Sequence, residues 1–220
     1  MSETAIGFGA LFPGQLSEKA GMGESLYRAF PECAAIVADL GKRSGVPFED
    51  VFFQNASRKE AIHEDLPAQV GVFAVSLAAL EALALEGLRP AAVAGYSLGT
   101  YAAFVAAGCC PAEVALEVLL EVDRCLVEEG IRGGMGFVIG LSRAALEAEL
   151  TEGVFIGTAN AGAQFIVTGE KEAVEALLAR VSGKALKQGL LPLGWPMHAP
   201  TLAGVTEKVA RLVDRLPITA

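Results

Sequence analysis

The sequence predicts an α/β fold in which a parallel sheet packed by helices is interrupted by a smaller unit of β-α-β-β-α-β order. Three observations carry this. Residues 91–95, Ala-Ala-Val-Ala-Gly, read as the end of a buried strand, and Gly95-Tyr96-Ser97-Leu98-Gly99 leads from it directly into a helical pattern. The composition is 53% hydrophobic but only 7% aromatic, and a supply of Ala, Leu, Val and Gly suits helices packed closely on a parallel sheet. After Gly133-Gly134 the pattern changes to short strands alternating with short helices.

Taken in order, residues 5–12 are a short apolar run that stops at Pro13-Gly14-Gln15, a strand ending in a turn, and Ser17 to Met22 is a polar loop. Residues 23–40 repeat apolar positions at helical spacing, split by Pro31 and ended by Gly41. Gly45 to Asn55 is a loop with a short helical turn. Residues 66–87 form an apolar helix buried on most sides, with Gly87 as its C-cap. Few polar residues interrupt it; Gln69, among its apolar neighbours, reads by itself as a residue on the exposed edge. After strand 91–95, residues 98–108 are an Ala-rich helix closed by Gly108, and Pro111 opens another that Gly130 ends. Then follow strand 135–141, helix 143–150 capped by Ser142, strand 154–159, a turn at 160–163, strand 165–168, helix 170–181 and strand 185–193. This is the split pattern of a ferredoxin-like unit. The domains are therefore 1–132 with 194–220 as the larger part and 133–193 as an insert. A helix over 202–216 closes the chain. The larger part offers only two strands, 5–12 and 91–95, and a two-stranded parallel sheet is not a stable domain. Either the larger part holds strands that its sequence pattern does not reveal, or further strands are expected after residue 220 or from another chain, in which case the C-terminal part of the fold reads as missing.

Composition narrows the function. A net charge of −9 argues against nucleic acid, whose phosphates need a basic face. No apolar stretch of 18 residues lacks charge, so no membrane span is expected. The N-terminus lacks the basic region of a secretory signal. Cys33, Cys109, Cys110 and Cys125 form no Cys-x-x-Cys pair and read as small buried hydrophobes in a reducing cytosol. No metal site or cofactor is indicated.

The chemistry centres on residues 95–99. Strand, Gly-x-Ser-x-Gly and helix together make a nucleophile elbow. The turn is so tight that the positions two before and two after the serine must lack side chains, and Ser97 is pushed out at the start of a helix whose amides can stabilise an oxyanion. Only His63 and His198 could serve as an imidazole base. His63 lies in a polar, loop-like stretch and reads as a solvated surface residue.

These features occur beside further motifs: Phe12-Pro13-Gly14-Gln15 with Gly21-Met22-Gly23, Gln69, Val93 to Gly99, Ala159-Asn160 with Gly162, Ile166-Val167-Thr168-Gly169, and Met197-His198-Ala199-Pro200. In this order they resemble the acyl-CoA:acyl-carrier-protein transacylases of fatty acid and polyketide synthesis, across most of the chain. The resemblance implies an α/β-hydrolase-like core with a ferredoxin-like insert. It implies Ser97 as nucleophile, His198 as its base and the backbone amides of Gln15 and Leu98 as the oxyanion hole. Gln69, Tyr96 (where histidine is usual), Val122, Asn160 and Met197 fall at positions around the substrate. A Ser-His dyad is implied, with backbone carbonyls orienting the imidazole. Acyl-CoA is then a substrate, an acyl carrier protein the acceptor, and the cytoplasm the expected location.

One departure bears on specificity. Malonyl-transferring members carry an arginine on the second helix after the elbow to pair with the malonyl carboxylate, and the matching position here is Val122. Arg124 is two residues on, about 200° round the helix, and should face away. Burying a carboxylate beside Val122 would cost several kcal/mol, so a neutral acyl group such as acetyl, or a longer one, is expected. Hydrolysis of acyl groups from carrier proteins uses the same Ser97 and His198 and is the alternative, as is an acyltransferase-like domain completed by another chain. Arg180, Lys184 and Lys187 are the cations expected to meet an acidic carrier protein.

Overall fold

The computed structural model describes residues 7–219. The first strand is β1 (Gly9–Phe12); residues 5 and 6 of the expected strand lie outside the described residues. Pro31 separates α1 (Glu24–Ala29) from α2 (Pro31–Ser44), taking the first position of α2, where its missing N–H costs nothing. Gly41 does not end α2. The helix runs on to Ser44, with Gly45 capping it at φ 75°, because Gly41 is a packing residue: a Cβ there would lie 2.9 Å from the Val46 carbonyl and 3.1 Å from the Phe48 ring.

After α3 (Phe48–Phe52) and a 3-10 turn over Lys59–His63, α4 (Asp65–Leu85) crosses the core. By length and composition alone α4 is long and apolar enough to cross a bilayer, but it is interrupted by Glu81 and more than half of its apolar window is buried inside the fold. It is a core helix, and its apolar residues surround it instead of forming one stripe. Next come β2 (Ala92–Gly95), α5 (Gly99–Ala106) and α6 (Ala112–Glu128). β1 and β2 pair in parallel, from Gly9 beside Ala92 to Phe12 beside Gly95.

The chain divides into two compact units. The first comprises Met1–Glu121 with Leu212–Ala220, the second Val122–Arg211. The insert expected over 133–193 lies within the second unit, which also takes in the last turns of α6 and the segment with His198. In the first unit, Val37, Phe52, Val70, Phe73 and Leu116 build the core. Thr219 donates its backbone N–H to the Cys109 carbonyl (2.8 Å), tying the last residues to this unit.

The second unit contains β3 (Gly134–Ile139), α7 (Arg143–Glu147), β4 (Val154–Ala161), β5 (Gln164–Gly169), α8 (Lys171–Val181), β6 (Lys187–Leu191) and all but the last two residues of α9 (Ala203–Val213). Its sheet has the order β4-β5-β3-β6 with every neighbour antiparallel. Alternate residues of the strands, Val138, Phe165 and Val167, meet Val174, Leu177 and Val181 of α8 in a fully buried core. Ser142 caps α7, its hydroxyl accepting the Ala145 N–H at 3.2 Å. Asn160 is not in the turn: β4 runs to Ala161, with irregular register after Ile156 and Ala159. No disulfide joins the cysteines; Cys33, Cys110 and Cys125 are buried, and burial raises the thiol pKa of Cys33 and Cys110.

Candidate functional site

Parallel pairing brings the ends of β1 and β2 to the same edge of the sheet, where open α/β sheets bind ligands. Ser97 follows β2 at φ 48°, a left-handed conformation that costs a non-glycine residue on the order of 1–3 kcal/mol. The turn is held by Gly99 N–H donating to Tyr96 O (2.9 Å) and Thr100 N–H to Ser97 O (2.9 Å), while Tyr96 N–H donates to Phe12 O (3.0 Å). A Cβ on Gly95 would stand 2.2 Å from the Gly99 carbonyl carbon, and one on Gly99 would stand 2.2 Å from Phe12 O. Both contacts are with backbone, which cannot swing aside, so the two glycines are required by close approach. Leu98 is buried at the start of α5, and Ser97 and Tyr96 are exposed.

The loop after β1 lies beside this turn. A Cβ on Gly14 would sit 2.9 Å from both the ring and the carbonyl oxygen of Tyr96. Gln15 Nε2 donates to Asp65 Oδ1 (3.1 Å) in the first turn of α4. Leu16 adopts φ 76°. Glu18, read from sequence as part of a polar loop, is buried: its Oε2 accepts the Leu16 N–H (2.7 Å) and its Oε1 lies 3.2 Å from His63 Nδ1. His63 is an exposed histidine as expected, but one tied to a buried acid. Gln69 is not on an exposed edge; it is only 5% exposed, inside α4.

His198 belongs to the second unit, in a turn where Met197 N–H donates to Trp195 O (2.9 Å) and Ala199 N–H to Pro196 O (3.2 Å). It too is left-handed, at φ 62°. Its segment leans on β4: a Cβ on Gly157 would be 3.3 Å from His198 Cβ and 3.0 Å from Thr168 Cγ2. Neither Gly157 nor Thr168 was marked from sequence as a neighbour of the histidine, since nothing in a strand pattern says which loop will cover it. Although His198 retains exposed surface, its partial withdrawal from water lowers its pKa from the ordinary 6.5. Asn160 is exposed near the end of β4.

Val122 and Met197 pack against one apolar cluster of Cys125, Leu126, Trp195, Leu202 and Val205. Arg124 instead forms an ion pair with Glu128 (2.7 Å), both side chains more than half exposed. Arg180 Nη2 donates to the Glu149 carbonyl (2.9 Å), Lys184 pairs with the Glu149 carboxylate, and the Lys187 ammonium lies 5.8 Å from the Phe137 ring centre. Among the described residues no group of three or more His, Cys, Asp or Glu is placed to hold a metal ion.

Residues 11–217 match the acyl transferase domain family. Over 216 residues the chain is 32% identical to a phenolphthiocerol/phthiocerol polyketide synthase of Mycobacterium tuberculosis, covering 95% of this chain and 14% of that protein. It is 25% identical over 217 residues to the malonyl CoA-acyl carrier protein transacylase of Bacillus subtilis, covering 94% of this chain and 68% of the transacylase. Among solved structures, a malonyl-transacylase in complex with a type II polyketide synthase acyl-carrier protein superimposes with a TM-score of 0.86 at 26% identity, over 97% of this chain and 71% of that one. The chain thus spans a small fraction of the polyketide synthase and about two thirds of the transacylase.

Proposed function

Because the chain belongs to the acyl transferase domain family, we propose that it moves an acyl group from coenzyme A to an acyl carrier protein through an ester on Ser97. The observation that carries this is the elbow itself: a serine at φ 48° between a parallel strand and a helix, flanked by two glycines that no other residue can replace. The order of the four-stranded sheet supports reading the second unit's insert as ferredoxin-like, and the β1–β2 pair supports an α/β-hydrolase-like core.

In the first half-reaction Ser97 Oγ attacks the thioester carbonyl carbon. A C–O bond forms, the C–S bond breaks, and the hydroxyl proton passes to the His198 imidazole and then to the departing CoA thiolate. In the second, the carrier-protein thiol gives its proton to His198 and attacks the ester, and Ser97 recovers a proton as it leaves. The amides of Gln15 and Leu98 stabilise the oxyanion in both. A depressed pKa keeps His198 neutral, and so able to accept a proton, near pH 7. The acceptor assignment follows the relatives' names: the Bacillus enzyme is a transacylase of acyl carrier protein.

The acyl group we assign is neutral. Val122 lies in an apolar cluster with Met197, and the nearby Arg124 is engaged with Glu128 at the surface. A malonyl carboxylate among these apolar side chains would lose several kcal/mol of hydration. Hydrolysis is the competing outcome, because Ser97 and His198 are both exposed and water could take the ester.

Intact-mass measurement after brief exposure to acetyl-CoA, malonyl-CoA and a medium-chain acyl-CoA tests the reading. The expected result is an adduct that forms faster with a neutral acyl group, is missing in Ser97→Ala, and disappears on adding carrier protein. Faster malonyl loading overturns the specificity. Release of free CoA without an adduct moves the assignment to hydrolysis.

A further inference from the structure

Glu18 is the one acidic or basic residue fully buried among the described residues, with its side chain 1% exposed, and the transfer chemistry gives it no part. Burying a carboxylate costs several kcal/mol unless its oxygens are satisfied. Here the Leu16 N–H and His63 Nδ1 satisfy them, at 2.7 and 3.2 Å. The same bond holds Leu16 at φ 76°, a conformation costing a branched residue about 1–2 kcal/mol. The loop therefore contains two unfavourable features at adjacent positions, and such strain persists only where surrounding contacts enforce it.

What the contacts enforce is the setting of the peptides on either side of Gln15. Ser17 Oγ donates to the Gly14 carbonyl oxygen at 2.7 Å. The Gly14–Gln15 peptide is planar and trans, so its N–H points away from its C=O. With the carbonyl engaged by Ser17, the Gln15 N–H faces the opposite side. The next peptide, Gln15–Leu16, is fixed by Glu18 through the Leu16 N–H, and the Gln15 side chain is tied to Asp65. Gly14 meanwhile abuts Tyr96, one residue before Ser97. The peptide before Gln15, the peptide after it and its side chain are thus each held by a neighbour within the first unit.

We infer that Ser17 and Glu18 are positioning residues that fix the Gln15 backbone amide for the oxyanion; this rests on the proposed role of Gln15 at a Ser97-centred site. An oxyanion donor contributes only when pre-aimed, since reorganisation during the reaction would cancel its benefit. The two side chains act on the rate of Ser97 acylation and not on the binding of acyl-CoA.

Single-turnover acylation by the preferred acyl-CoA, followed by rapid quench and intact mass, tests this in Ser17→Ala, Glu18→Ala, Ser17→Thr and Glu18→Gln. Both alanine variants are expected to lower the maximal rate by roughly ten- to a hundred-fold, a part of the hundred- to thousand-fold that loss of a whole donor costs, with half-saturation unchanged. Ser17→Thr, which keeps the hydroxyl, and Glu18→Gln, which keeps an oxygen for the Leu16 N–H, are expected to recover most of the rate. Parent-like rates in both alanine variants, with Ser97→Ala unloaded, overturn the inference while leaving the site intact. A lowered melting temperature with an unchanged rate overturns it as well. If Glu18→Ala fails to fold, a parent-like rate in Ser17→Ala is sufficient to reject it. Adduct formation in Ser97→Ala overturns the reading of the site itself.

Discussion

His198 occupies a left-handed corner of a tight turn, and its imidazole is partly shielded from water. Shielding disfavours the charged form, so its pKa lies below the ordinary 6.5. The sign of the pH effect follows. Above that lowered pKa the ring is neutral and can take the Ser97 proton; as pH falls through it, imidazolium accumulates and acylation stops. The acid limb of kcat/KM for Ser97 loading is therefore expected at an apparent pKa below 6.5, measured as the pH dependence of adduct formation at low acyl-CoA. A limb at or above 6.5 would contradict His198 as the base in this environment. The residue-scale strain has the same form at both proposed catalytic side chains: Ser97 at φ 48° and His198 at φ 62° are each held by turn hydrogen bonds that project a side chain from a corner.

Helix α6 shows what periodicity can and cannot settle. Val122, Cys125 and Leu126 are spaced i, i+3 and i+4 and share the face against Trp195 and Leu202, while Arg124 lies two residues from Val122 and pairs with Glu128. That phase was legible in the sequence because the helix has a clear apolar stripe. An exposed i,i+4 pair is worth a few tenths of a kcal/mol, so Arg124→Ala is expected to change stability by less than about 0.5 kcal/mol and to leave the acetyl-to-malonyl loading ratio unchanged. Urea unfolding and paired loading assays check both; selective loss of malonyl loading would make Arg124 the carboxylate partner. Helix α4 was harder to read. It is apolar on nearly every side, so no stripe marked an outer face, and Gln69 looked like an edge residue when it is buried. The elbow was legible because its glycines answer to a local steric demand. Glu18 was not, because its burial depends on Leu16 folding back two residues and on His63 approaching from 45 residues away. Asn160 was assigned to a turn because the irregular register of β4 leaves no trace in the strand's alternation.

At the scale of the whole chain, two units carry separate cores. The first is built from α1–α5, the early part of α6 and the short β1–β2 pair, whose Leu11 is 83% exposed. A two-stranded pair adds little stability of its own, so this unit depends on helix packing around Phe52, Phe73 and Leu116. The second has a four-stranded antiparallel sheet closed by α8, together with the cluster around Trp195. Chains with separate cores frequently depart from two-state unfolding. The sequence contains a single tryptophan, Trp195, 6% exposed in the second unit, so its fluorescence reports on that unit alone. Far-UV circular dichroism is weighted toward the helices of the first. Urea curves from the two probes are expected to have different midpoints, each with a smaller denaturant dependence than 220 residues unfolding together would show, because that slope scales with the surface exposed in each step. Coincident curves with one steep slope would mean that the two cores melt as one cooperative body. In that case a substitution at Glu18 in the first unit should shift the Trp195 transition; with independent units it should leave that transition where it was.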